Sequence, residues 1–209
     1  MTKKIPGIKN IIFDLGGVIV DLSVDKTIGS FSRLTGLSHQ HVDGVYTSAP
    51  EFLSYEKGLM TDPEFRDLIR SLFRTEASDE EIDACWNAMI LGLPTEKLEL
   101  VYALHRQYNV YLLSNTNGIH IDYVNKYLLP RGNGKVALDD YFHRAYYSHT
   151  MHKRKPDAEI FQQVLDECNL TPDETLFLDD NRDNVAGAKG VGIRAVHVDT
   201  PDFILAYFT

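Results

Sequence analysis

Cysteine, tryptophan and positive charge are all scarce in this chain. Its 209 residues hold two cysteines, Cys85 and Cys168, with neither metal-site spacing nor the density of a disulfide framework. Ordinary reduced thiols in a cytoplasmic protein are therefore expected. Lys and Arg number 21 against 30 Asp and Glu, a net charge of −9. Such a chain lacks the clustered cations that phosphate-backbone contacts need, which argues against general nucleic-acid binding. An anionic small substrate would have to be met by a local cation or a metal. Apolar runs long enough to span a membrane are missing, because the run after the basic start MTKKIPGIKN is short and carries Asp14. That start does not read as a signal peptide. Internal repeats and low-complexity tracts are absent as well.

What is present is ordinary for a soluble globular protein: 44% hydrophobic and 24% charged residues. The length suits one domain, or one domain carrying a sizeable insertion. The most informative segment is IIFDLGGVIV, residues 11–20. Its β-branched apolar run reads as a buried strand of a parallel sheet, ended by Gly16 and Gly17. A carboxylate at the end of such a strand is expensive unless it is paired, binds metal or does chemistry. In open α/β sheets that position faces the ligand crevice. Taken alone, Asp14 could equally cap the following turn.

Residues 22–92 read as an all-helical block without a strand. Thr61-Asp62-Pro63-Glu64 and Ser78-Asp79-Glu80-Glu81 are capping boxes that open two of its helices, and residues 25–34 and 51–55 are also helical. Past Gly92 and Pro94 the pattern changes. Helices are expected over residues 95–108, 118–128, 157–168 and 185–189, and strands over 110–113, 144–147, 175–178 and 193–198. Loops are expected over 130–134 and 171–174. Strands alternating with helices imply a parallel sheet with right-handed crossovers. The helical block is then an insertion over the carboxyl edge of that sheet.

Three expected strands end in polar signatures: Asp14, Ser114-Asn115 and Asp179-Asp180. A fourth segment, His152-Lys153-Arg154-Lys155-Pro156, precedes a helix. Each has an ordinary reading alone, as a strand terminator, a helix cap or a solvated turn. A parallel sheet brings all four to one edge. Together they offer a carboxylate nucleophile, hydroxyl and amide donors, a cation, and an acidic pair suited to Mg²⁺ through hard oxygen ligands.

In order and spacing the stretches FDLGGVIVD, LLSNTN, RKPDAEIF and LFLDDNRDNVAGAKGVG resemble the haloacid dehalogenase (HAD) superfamily, in the branch with a helical cap after the first motif. Within it the chain is similar to the small sugar-phosphate phosphatases whose first motif reads DLGxV, such as the α-glucose-1-phosphate phosphatase type. The resemblance implies a Rossmann-like α/β core over residues 1–16 and 93–209 and a cap over 17–92. It implies Asp14 as the nucleophile that forms an aspartyl-phosphate, and Ser114 with Asn115 as holders of the phosphoryl oxygens. Lys155 would neutralise the phosphate and orient Asp14. Mg²⁺ would be held by Asp14, the Gly16 carbonyl and Asp180, with Asp179 direct or one shell out and Asn184 as a buttress. The partner would be a small phosphorylated metabolite, with no nucleic acid or membrane. Monomer and homodimer stay open.

One position departs from the family pattern. Most of its phosphatases read Asp-x-Asp in the first motif, and the second Asp serves as the acid–base. Here that position is Gly16. Positioned acid–base catalysis is typically worth about 10²–10⁴-fold. Three outcomes follow: a phosphatase with a good leaving group or a substitute acid, a metal-independent 2-haloacid dehalogenase, or a binding-only protein. Asp21, His39, His41, His120 and His152 are the candidate acids. Arg33, Tyr46, Tyr55, Lys57 and Trp86 are the candidate cap-lining residues. The acidic pair Asp179-Asp180 argues against the dehalogenase.

Overall fold

The computed structural model describes residues 3–130 and 134–209. The middle of the loop expected at 130–134 lies outside the described residues. In chain order the elements are β1 (Asn10–Phe13), β2 (Asp21–Leu22), α1 (Val24–Thr35), α2 (His39–Ser48), α3 (Glu51–Glu56), α4 (Asp62–Phe73), α5 (Asp79–Asn87) and β3 (Ile90–Gly92). Then come α6 (Thr95–Leu104), β4 (Asn109–Ser114), α7 (Gly118–Tyr123), β5 (Arg144–Tyr147), α8 (Ser148–Met151), α9 (Ala158–Cys168), β6 (Thr175–Asp179), α10 (Arg182–Gly190), β7 (Arg194–His197) and α11 (Phe203–Tyr207).

Five strands form one parallel sheet in the order β5-β4-β1-β6-β7. Both of its faces are covered, as an all-parallel sheet requires. The strand alternation divides the core: Ile11, Phe13, Val110, Leu112, Leu176 and Leu178 pack with Leu98, Val101 and Ile204 on one face. Ile12, Tyr111, Leu113 and Phe177 pack with Ile160, Phe161 and Val164 on the other. Because β1 is central and the chain moves first to β4 and later to β6, the order reverses beside β1. A ligand crevice is expected at that switch point, beyond the carboxyl end of β1.

The regular strand stops at Phe13, earlier than the apolar run suggests. Leu15, Val18, Ile19 and Val20 stay buried, but in turns. Gly17 takes a left-handed φ of +71°, which breaks the extended backbone. A second correction concerns residues 22–92. Asp21–Leu22 and Ile90–Gly92 pair antiparallel, so the chain leaves and re-enters the core through a short ribbon. Strands of two and three residues are too brief to show a period of two. Between them, α1 to α5 enclose an aromatic core in which Tyr55 stacks on Phe65 at 4.0 Å and Phe52 on Trp86 at 5.7 Å. Both capping boxes form, at Thr61 with Glu64 and at Ser78 with Glu81. The helix over 118–128 divides into α7 and a wider π-type turn at Val124–Leu128; α2 falls within the helical block expected over 22–92, and α8 and α11 have no counterpart among the expected elements.

Candidate active site

Asp14 lies one residue past β1, and its N–H continues the ladder to the Leu178 carbonyl at 2.9 Å. Ser114 and Asp179 end β4 and β6, the two strands flanking β1. The sheet therefore brings Asp14, Ser114 and Asp179 to one edge by topology. Lys155 arrives from the segment after α8. The Asn115 side chain fixes it there: Asn115 Nδ2 donates to the Lys155 carbonyl and Asn115 Oδ1 accepts the Lys155 N–H, both at 2.9 Å.

Lys155 is almost fully buried, and its ammonium uses all three donors. Nζ donates to Asp14 Oδ1 at 2.6 Å, Asp179 Oδ2 at 2.6 Å and the Leu113 carbonyl at 2.8 Å. Asp179, also fully buried, is committed further. Its Oδ1 accepts the Asn181 N–H at 2.8 Å, and Asn184 Nδ2 donates to both of its oxygens at 3.1 Å. Asp180, next in the chain, keeps more of its surface in solvent than Asp14 or Asp179. Burial raises the Asp14 carboxyl, with Asp179 and Asp180 adding to the shift and Lys155 opposing it. The Asp180 carboxyl is raised too, first by burial and then by Asp179.

Asp14, Asp179 and Asp180 each bring a carboxylate oxygen within 4.8 Å of the others. Three carboxylates against one ammonium leave a formal excess of negative charge, which repels a phosphate dianion. A hard divalent cation removes that excess, and the donor set fits one. The backbone makes room for it as well. A Cβ built on Gly17 would overlap the Asp180 carboxylate, so this cradle tolerates only glycine without rearrangement. The Gly16 carbonyl accepts no hydrogen bond among the described residues. Both Asp179 oxygens already accept hydrogen bonds, whereas Asp14 accepts one, from Lys155.

A cavity of about 320 Å³ opens over this edge. Asp14, Gly16, Ser114, Asn115, Lys155, Asp180 and Asn184 line its floor. Val24, Trp86, Met89, Ile121 and Val124 form apolar walls, and Tyr46, Glu56, Asn117, His120 and Arg154 supply polar groups. The candidate cap-lining residues therefore divide. Tyr46 and Trp86 reach the cavity, whereas Tyr55 is buried and donates to Asp62 at 2.7 Å. Lys57 pairs with Asp157 at 3.7 Å, and Arg33 bonds to Ser30.

Among the candidate acids only His120 lines the cavity, and its ring is committed. Nδ1 is 3.2 Å from Asn117 Nδ2, and Nε2 is 3.3 Å from the Trp86 carbonyl. Desolvation pulls its pKa down to about 4, so it is neutral at pH 7 and has no proton to spare for a leaving group. Asp21 pairs with buried Lys97 at 2.7 Å, His39 pairs with Asp25 at 2.8 Å, His41 is exposed, and His152 bonds to the Lys57 carbonyl. Sequence reasoning missed Glu56 altogether, and it read Arg154 only as part of a basic turn. The two form an ion pair at 3.2 Å between α3 and the segment that carries Lys155.

A Rossmann-like parallel sheet with a buried acid–lysine centre at its switch point, roofed by an inserted helical block, defines a class of α/β hydrolases. Residues 8–192 match the haloacid dehalogenase-like hydrolase family, and the chain belongs to that family. It is 34% identical to a D-ribitol-5-phosphate phosphatase of Bacteroides thetaiotaomicron, over 88% of this chain and 89% of that protein. A HAD family enzyme of the same organism, solved as wild type with magnesium and inorganic phosphate, superimposes with a TM-score of 0.84 at 39% identity, covering 91% of this chain and 93% of that one. A HAD-like hydrolase of Porphyromonas gingivalis gives a TM-score of 0.87 at 30% identity, covering 96% of each chain. Among the described residues no helix is long and apolar enough to cross a membrane.

Proposed function

We propose that the protein hydrolyses a small phosphomonoester, a sugar or polyol phosphate, with Mg²⁺ as cofactor. The observation that carries this reading is the buried Asp14–Lys155–Asp179 centre with Asp180 beside it. Its relatives support it, since one acts on D-ribitol-5-phosphate and another was solved with magnesium and phosphate.

The residues take these roles. Asp14 attacks phosphorus with the carboxylate oxygen that Lys155 leaves free, and the bond to the leaving oxygen breaks, giving an aspartyl-phosphate. The Ser114 hydroxyl and the backbone at Asn115 hold the phosphoryl oxygens, and the Lys155 ammonium keeps Asp14 oriented and offsets charge that develops nearby. Water then releases phosphate and restores Asp14. Asp14, Asp180 and the Gly16 carbonyl would hold Mg²⁺, with Asp179 fixed behind them by Asn184 and Asn181. Bound there, the ion would neutralise the acidic centre and polarise the phosphoryl group. Residues 17–92 form the cap, and residues 1–16 with 93–209 form the core. The cap supplies Trp86, Met89 and Tyr46 to the substrate-facing walls.

The test is hydrolysis of 4-nitrophenyl phosphate, and of a panel of pentitol and hexose phosphates that includes anomeric ones, with and without Mg²⁺. Asp14→Asn should abolish turnover of every ester, and activity surviving that change would sink the mechanism. Halide release from a 2-haloacid without metal would favour the dehalogenase. Tight phosphate binding without turnover of any ester would favour a binding-only protein.

A further inference from the structure

We infer that Glu56 is the acid–base of this site: it protonates the leaving oxygen and then accepts the proton of the attacking water, in the role that Gly16 has no side chain to fill. The inference rests on the phosphatase reading above and names the group that reading lacks.

The argument is one of geometry and elimination. The titratable side chains lining the cavity are Asp14, Tyr46, Glu56, His120, Arg154, Lys155 and Asp180, with Arg154 paired to Glu56. Asp14 is taken as the nucleophile, Asp180 as a metal ligand, and Lys155 has no donor to spare. The His120 ring is neutral, with both nitrogens engaged. Tyr46 is pushed up to about 12 by burial and then by Glu56, too weak an acid to supply a proton readily near neutrality.

Glu56 is built differently. Arg154 Nε donates to its Oε2 at 3.3 Å, and Arg154 Nη2 stands in ion-pair contact with the same oxygen at 3.2 Å. Oε1 has no partner among the described residues, and Glu56 lines the cavity. The backbone behind it is anchored, since Ser148 Oγ donates to the Glu56 carbonyl at 2.6 Å and His152 bonds to the next carbonyl at 3.0 Å. A guanidinium on one oxygen thus fixes the carboxyl and leaves the other oxygen for chemistry.

The surroundings shift the Glu56 carboxyl in the direction that an acid needs. Burial raises its carboxyl above the ordinary range, while Arg154 and Lys155 oppose that shift without reversing it. Tyr46 is the other titratable group facing it. Glu56 also ends α3, where the backbone carbonyls disfavour a carboxylate.

The proton balance closes. When Asp14 forms its bond to phosphorus, the electron pair of the breaking bond stays on the leaving oxygen, and the Glu56 proton joins it to give the free alcohol. The Glu56 carboxylate then takes a proton from water as that water's oxygen bonds to phosphorus, releasing phosphate from Asp14 and restoring the acid.

The experiment compares wild type and Glu56→Gln with Mg²⁺ on ribitol 5-phosphate and on 4-nitrophenyl phosphate. An alkoxide needs protonation to leave, whereas nitrophenolate does not. For Glu56→Gln, kcat on ribitol 5-phosphate should fall about 10²-fold or more with little change in KM. On 4-nitrophenyl phosphate the variant should release nitrophenolate in a burst of about one per active site, then turn over slowly, because the missing base leaves aspartyl-phosphate hydrolysis impaired. Glu56→Asp should recover part of the ribitol 5-phosphate rate, and it carries the test if the Gln variant does not fold. Unchanged kcat, or a rise in KM alone on both esters, would overturn the acid–base role. Wild type inactive on both esters and on the sugar phosphate panel would instead overturn the phosphatase reading.

Discussion

Lys155 Nζ stands 2.6 Å from Asp14 Oδ1, with both groups buried and a second carboxylate, Asp179, at the same distance from the ammonium. Removing the cation leaves two buried carboxylates facing each other. Breaking a buried ion pair from one side costs about 3–5 kcal/mol. Lys155→Met should therefore lose stability of that order in urea unfolding at pH 8. It should also lower kcat by about 10²-fold or more, as loss of a preorganised charge at a reacting centre does. The stability deficit should shrink at pH 5, because burial and Asp179 raise the Asp14 carboxyl and the repulsion is relieved by protonation. An equal deficit at both pH values would contradict the charge argument.

Gly17 holds φ +71° against the Asp180 carboxylate. In Gly17→Ala the backbone strain costs about 1–2 kcal/mol, and the new Cβ displaces Asp180. The Mg²⁺ concentration for half-maximal activity should rise about 10–100-fold, the range for disturbing the surroundings of a metal ligand. Chelation should silence wild type and added Mg²⁺ should restore it. A variant with wild-type Mg²⁺ dependence would place the ion elsewhere.

Asp21 stands next to the cavity in sequence but serves as a counter-ion. Its Oδ1 accepts from Lys97 Nζ at 2.7 Å, and Lys97 is fully buried. Asp21→Asn should cost about 1–3 kcal/mol of stability by weakening the one ion pair that buried Lys97 makes among the described residues. Specific activity of the folded fraction should stay at the wild-type level. A drop in kcat without loss of stability would return Asp21 to the list of acids.

The acidic and hydroxyl groups of the site's floor are readable from sequence because they sit beside apolar runs. Asp14, Ser114 and Asp179-Asp180 follow buried strands, and a parallel sheet puts the ends of such strands at one edge. Lys155 was placed by family resemblance, and its position depends on the Asn115 side chain holding its backbone. The roof was not readable. Glu56 lies at the end of a six-residue helix with no motif around it. Its position depends on how α3 docks on α8, through Ser148, His152 and the Lys57–Asp157 pair. The same applies to the ribbon of Asp21–Leu22 and Ile90–Gly92, which forms because both ends of the helical block must enter the core together. Local sequence records neither event, because the interactions that fix them are long-range.

His120 offers a pH test that requires no substrate. It stacks on Trp86 at 5.1 Å, and burial lowers its pKa from 6.5 to about 4. The unfolded chain therefore binds the proton before the folded one does. The stability contributed by the neutral imidazole is fully present above pH 6.5 and declines as the pH falls from 6.5 to about 4. Over the interval from pH 7.5 to 5 the loss is about 2 kcal/mol. Urea unfolding at the two pH values should show wild type losing that much more than His120→Gln, whose side chain does not titrate. NMR titration of the ring should give no imidazolium at pH 6. A ring that titrates near 6.5 in the folded protein would return His120 to candidacy as the acid and weaken the elimination that leads to Glu56.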